Sequence, residues 1–131
     1  MLNVEFTGAH VLGEDAFEPR PLAVAQGLIT DVAQATRVDL DGYMIVPGIV
    51  DVHGDGFERH LAPRRGAMKT MQEGLVAAEA ELAANGITTA VLAQFISWEG
   101  GLRGYEFAEQ VFGAIQQVSD TLVTDLRGQL R

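Results

Sequence analysis

The chain has 131 residues, 47% hydrophobic and 21% charged, a balance that suits one soluble globular unit and excludes disorder and fibrous repeats. A net charge of −9 argues against general nucleic-acid binding, because a polyphosphate backbone calls for a basic surface that displaces its counterions. With no cysteine, disulfides and thiolate metal sites are excluded, so a bound metal must rest on His, Asp, Glu or a modified Lys.

No apolar run nears the roughly 18 to 20 residues that cross a bilayer, and MLNVEFTGAH carries no basic segment leading into a hydrophobic block. No membrane partner and a cytoplasmic location are therefore expected. The first 46 residues read as short extended segments: 2–6, 9–12, 21–26, 28–33 and 43–47. Gly8, the GEDAFEPR loop, Gly27 and the turn ending at Gly42 separate them, so region 1–46 is expected to be a small β module.

After Pro47 the pattern alternates between strand and helix, the signature of a parallel α/β arrangement. IVDVH (49–53) reads as a strand and the residues after it as an irregular loop. From about Ala67 to Ala84, Met68, Met71, Leu75, Ala78 and Leu82 recur at helical spacing, closed by Asn85-Gly86. ITTAVLAQF (87–95) is nearly continuous in apolar character and reads as a strand buried on both faces. Phe107, Val111, Ala114, Ile115 and Val118 form a second helical face, and LVTDLRGQLR begins a third strand. Region 47–131 thus holds two strand-helix units and the start of a third.

The chemistry concentrates in VPGIVDVHGDGFERHLAPRR, Val46 to Arg65. Residues two apart on a strand share a face, so Asp51, His53 and Asp55 project together if the strand persists. An imidazole and a carboxylate at the C-terminal end of a strand make half of a zinc, manganese or iron site. A solvated or supporting His-x-Asp pair is the plain alternative. Four of the nine basic residues, Arg59, Arg64, Arg65 and Lys69, fall within positions 59–69, a window with no acid. Clustered guanidiniums beside a divalent ion suit a phosphorylated small-molecule substrate, whereas an ordinary charged loop is the competing account.

PGIVDVHGD resembles the first barrel strand of the amidohydrolase superfamily, Pro-Gly-apolar-apolar-Asp-x-His-x-His, with Asp55 where most members carry the second histidine. His-x-Asp, Glu58-Arg59, Pro63-Arg64 and NGITT together resemble the α-D-ribose 1-methylphosphonate 5-triphosphate diphosphatase branch, of the carbon-phosphorus lyase pathway. The resemblance implies an N-terminal β-sandwich portion followed by the first units of a metal-dependent-hydrolase (β/α)₈ barrel, incomplete. It implies His53 and Asp55 as ligands of a divalent metal, zinc first and manganese or iron as alternatives, and Asp51 as a supporting residue. It also implies phosphonate metabolism, diphosphate release and Arg64 as a phosphate contact, while the basic cluster adds Arg59 and Arg65 as candidate substrate contacts. A barrel takes about 250 residues, so the ligands of later strands are missing. The expectation is an N-terminal fragment or truncated reading frame, inactive alone and prone to self-association through an open sheet edge.

Two other functions stay open: an amidohydrolase acting on a carbon-nitrogen bond, and a non-catalytic module that binds a phosphorylated ligand. His10 is expected to be structural and Glu58 a solvated loop acid. His60 reads more readily as a basic-loop residue than as a functional one. Trp98 is expected to pack over the end of the second strand, with substrate contact as the alternative, and Ser97 lacks the base a nucleophile needs.

Overall fold

The computed structural model describes residues 3–61 and 70–131. The chain divides into two compact units, Met1–Pro47 and Gly48–Arg131.

The first unit holds β1 (Val4–Thr7), β2 (His10–Leu12), β3 (Phe17–Pro19), β4 (Leu22–Ala25), β5 (Leu28–Thr30), β6 (Arg37–Asp39) and β7 (Met44–Ile45). They form two small sheets, of order β5-β4-β1-β6 and β3-β2-β7. Gln26 and Gly27, with φ of 54° and 82°, make the tight turn between β4 and β5, the double positive φ that a two-residue hairpin favours. Val4, Ala9, Val11 and Ala23 are buried, as is Glu5, whose carboxylate meets Arg37 Nε at 2.9 Å across the β1–β6 pair. Strands β3 and β6 lie in stretches expected to be loop. All their residues are exposed, so no apolar alternation marks them in the sequence.

The second unit runs β8 (Ile49–Gly54), α1 (Glu58–Leu61), α2 (Met71–Ala84), β9 (Ile87–Gln94), α3 (Tyr105–Val118) and β10 (Asp125–Leu130). Its sheet has the order β8-β9-β10 with both pairings parallel. Ala90 and Leu92 of β9 and Leu126 of β10 pack with Leu75 and Ala78 of α2 and with Val111, Ala114 and Ile115 of α3. That places both long helices on one face of the sheet. The apolar positions expected of the two helices are those that face this core, Met71, Leu82 and Phe107 partly buried at its rim. Met68 and the expected first turn from Ala67 lie outside the described residues.

Local chemistry fixes the element ends. Thr70 caps α2 by accepting a hydrogen bond from the Glu73 N–H at 3.2 Å, and Gly86, at φ 77°, turns the chain out of it. Glu79, buried within α2, accepts the Thr124 N–H at 2.9 Å while Thr124 Oγ1 donates to the Ile87 carbonyl at 3.0 Å. The start of β10 is thereby tied to both the helix and the neighbouring strand.

Two expectations need correction. The residues after β8 contain a helical turn, α1, too short to carry an amphipathic period. Burial of β9 on both faces holds only toward its end: Leu92–Gln94 are buried in succession, but Thr88, where the register with β8 breaks, is exposed. On the neighbouring β8, Val50 and Val52 are 57% and 70% exposed.

Candidate functional site

β8 is an edge strand whose pairing with β9 is broken twice. Ile49 lies opposite Ile87 but Val50 opposite Thr89, so β9 gains a residue at Thr88. Thr88 folds back onto the preceding chain, donating from Oγ1 to the Ile49 carbonyl at 3.4 Å. A Cβ on Gly48 would lie 2.2 Å from that same oxygen, so glycine is what lets the two backbones approach.

The second break gives the extra residue to β8. Asp51 lies opposite Ala90, whereas Gly54 lies opposite Leu92, so Val52 and His53 share the place facing Val91. A one-residue bulge reverses which face every later side chain takes. Asp51, in register with Ala90 of the helix-covered core, lines a cavity of about 170 Å³ on that side, together with Phe57, Ala78, Glu81 and Leu82. His53 takes the opposite face, where its ring meets the edge of Phe95 at a centroid distance of 6.4 Å and an interplanar angle of 85°.

The expected common face of Asp51, His53 and Asp55 is therefore split. Asp51 supports instead of joining: its Oδ1 accepts the His53 N–H at 3.0 Å, holding the bulge that aims the imidazole. Asp55 follows directly after the strand and is exposed, its carbonyl accepting the Glu58 N–H at 3.2 Å to open α1.

Among the described residues no three His, Asp or Glu side chains gather in a way that could hold a metal ion. His53 and Asp55 supply an imidazole nitrogen and a carboxylate oxygen, a donor pair that suits zinc or another divalent ion. A catalytic ion takes three or more protein ligands, so the pair fits a metal only as part of a larger set.

The basic window has a partner that its sequence does not show. Arg59 Nη2 bonds Glu81 Oε1, and His60 Nε2 lies 2.9 Å from Glu81 Oε2, so helix α2 brings an acid to a segment with none of its own. These bonds, from Arg59 first and His60 second, hold the Glu81 carboxyl below the usual glutamate range. Arg59 is thus already paired. Arg64 and Arg65, with Lys69, lie outside the described residues. No spacing pattern announces Glu81, since contact with residues so far back along the chain exists only once α1 and α2 pack together.

The loop after β9 is the third component. Ser97 Oγ donates to Glu99 Oε2 at 3.2 Å, and Arg103 Nη1 donates to the same oxygen at 3.0 Å. Gln94, fully buried, donates from Nε2 to the carbonyls of Phe95 and Leu102. A glutamine closing an apolar strand is the sequence signal that could have marked this brace. Trp98 is 95% exposed, so the expected packing over the strand end is not observed: the turn holds the indole out in solvent. His10, exposed on β2, gives its N–H to the Tyr43 carbonyl at 3.0 Å within the first unit.

In this unit parallel strands neighbour one another in sequence order with helices between them, an α/β arrangement. A triazine hydrolase variant has a similar structure, with a TM-score of 0.53 and 15% sequence identity. The chain shares its fold with part of that hydrolase. The match covers 98% of this chain and 35% of the other, so the chain spans about a third of that hydrolase's length. At that identity the likeness is one of fold. No protein-family model matches the sequence, and no curated protein matches it. Among the described residues no helix is long and apolar enough to cross a membrane.

Proposed function

We propose that the chain carries the first metal-ligating strand of a metal-dependent hydrolase, with His53 and Asp55 as two of the ligands. The observation that carries this reading is the β8 bulge, which turns His53 away from the helix-covered core at the C-terminal end of a parallel strand. A side chain needed only for packing gains nothing from such a reversal. A divalent ion bound there would supply an activated water. The work of this chain's own residues is to aim the imidazole through Asp51 and to present Asp55 beside it.

The substrate class we propose is a phosphorylated sugar, and the reaction is hydrolysis of a ribose 1-phosphonate 5-triphosphate. Water adds at phosphorus, diphosphate leaves, and the 5-monophosphate remains. Support comes from the sequence resemblance and from Arg64 and Arg65, while Arg59 is less free for this role because Glu81 holds it. That pairing, and the fold shared with a triazine hydrolase, favour a second reading: hydrolysis of a carbon-nitrogen bond in an uncharged substrate.

Calorimetric titration of the chain with zinc, and then with inorganic triphosphate in the presence of zinc, separates the readings. The expected result is saturable zinc binding weakened at least about tenfold by either His53→Ala or Asp55→Ala. Triphosphate binding weakened by Arg64→Ala and Arg65→Ala supports the phosphate class. Zinc binding unchanged in both histidine and aspartate variants removes the metal site, and zinc binding without triphosphate binding leaves the carbon-nitrogen reading.

A further inference from the structure

Strands β8 and β9 and helices α1 and α2 enclose a cavity of about 170 Å³ on the helix-covered side of the sheet, away from His53. Its apolar wall is made by Phe57, Ala78, Leu82, Ile87 and Leu92. An apolar cavity of roughly 150 Å³ takes a benzene ring, so this one has room for a single six-membered ring with a small substituent.

The polar groups around it are unequally used. Glu81 is bonded by both Arg59 and His60, so those three satisfy one another. Asp51 gives one oxygen, Oδ1, to the His53 N–H at 3.0 Å, while its Oδ2 has neither a hydrogen bond nor an ion pair. Gly54 keeps the space beside that oxygen open, since a Cβ on it would lie 2.9 Å from Oδ2. With Arg59 and Glu81 neutralising each other, the Asp51 carboxylate is the charge left over at the cavity. A half-buried carboxylate oxygen beside apolar walls is stabilised by a donor that also carries positive charge.

We infer that this cavity is a binding site for a small cationic ring, with an amidinium or ammonium group on Asp51 Oδ2 and the apolar body against Phe57 and Leu92. The site needs no metal and stands whether or not His53 binds one. Calorimetric titration of the whole chain with three probes of one ring, benzamidine, benzyl alcohol and benzoate, tests it. Benzamidine binds saturably, benzyl alcohol binds about tenfold more weakly, and benzoate does not bind. Asp51→Asn keeps an oxygen for the His53 N–H but removes the charge, so benzamidine falls to the level of benzyl alcohol. Benzyl alcohol itself binds that variant as it binds wild type, which shows the cavity intact. Ala78→Leu extends a side chain into the space and abolishes binding of both. Absence of benzamidine binding overturns the proposal. Equal affinity for the three probes, or benzamidine binding that survives either substitution, overturns it as well.

Discussion

The two outer strands of the second unit sit on either side of β9, yet they pair with it very differently. β10 holds one unbroken register from Asp125 opposite Thr89 to Leu130 opposite Gln94. β8 breaks register twice over a similar length. β10 is set by packing: Leu126 is buried in the core, and Gly128 lies so close to Phe112 that a Cβ there would be 2.2 Å from the ring. β8 has no such anchor, with Ile49, Val50 and Val52 all more than half exposed. Its geometry is set by polar contacts, from Thr88 to its start and from Asp51 to its bulge. The regular edge stabilises the fold, and the irregular edge directs a side chain.

Leu126→Ala tests the packed edge and should have the largest effect. A buried leucine truncated to alanine costs about 2 to 5 kcal/mol, read as a lower midpoint in urea. Gly48→Ala attacks the irregular edge where it begins. The new methyl meets Thr88 Oγ1, Cγ2 and Cβ at 2.2, 2.3 and 2.7 Å, so a loss of about 1 to 3 kcal/mol is expected. Adding Thr88→Gly removes all three atoms and should recover part of that loss; strict additivity of the two changes would show that the contact does not matter.

Asp51→Ala removes the acceptor of the His53 N–H. It should cost about 1 kcal/mol and weaken zinc binding, while Asp51→Asn, which keeps an oxygen at that position, should restore both. Stability lost with zinc affinity intact would mean that the bulge does not aim the imidazole.

The smallest effect belongs to Glu81. Because its folded pKa is depressed by Arg59 and His60, its contribution is fully present above the ordinary glutamate value of about 4.3 and fades as pH falls through the lowered folded value. Wild type and Glu81→Gln should therefore differ slightly near neutrality and converge once the pH has fallen through the lowered folded value, read by thermal unfolding. A gap that persists in strong acid would show that the glutamine acts through something other than lost charge.

Periodicity made the second unit legible. Leu75 and Ala78, and Val111, Ala114 and Ile115, repeat at helical spacing because each must reach the same core, and the apolar run of β9 marks the strand they cover. Strands β3 and β6 left no such trace, since exposed backbone pairing imposes no pattern on side chains. The site divides along the same line. His53 and Asp55 stand out because an imidazole and a carboxylate follow an apolar strand and flank a glycine. Alternation assigned Asp51 to their face, and the bulge overruled it, because one added residue changes the parity of everything after it.

Sequence alone determined the two long helices and their apolar faces, the strands of the second unit, the exclusion of thiolate ligands and the location of the charged segment, all of which follow from residue chemistry and local spacing. Tertiary structure alone decided three things: that Asp51 lies on the face opposite to His53, that Glu81 occupies Arg59, and that Trp98 stands in solvent on a braced turn. Each depends on a register or a packing between segments distant along the chain, and neither is written in the order of residues within any one segment.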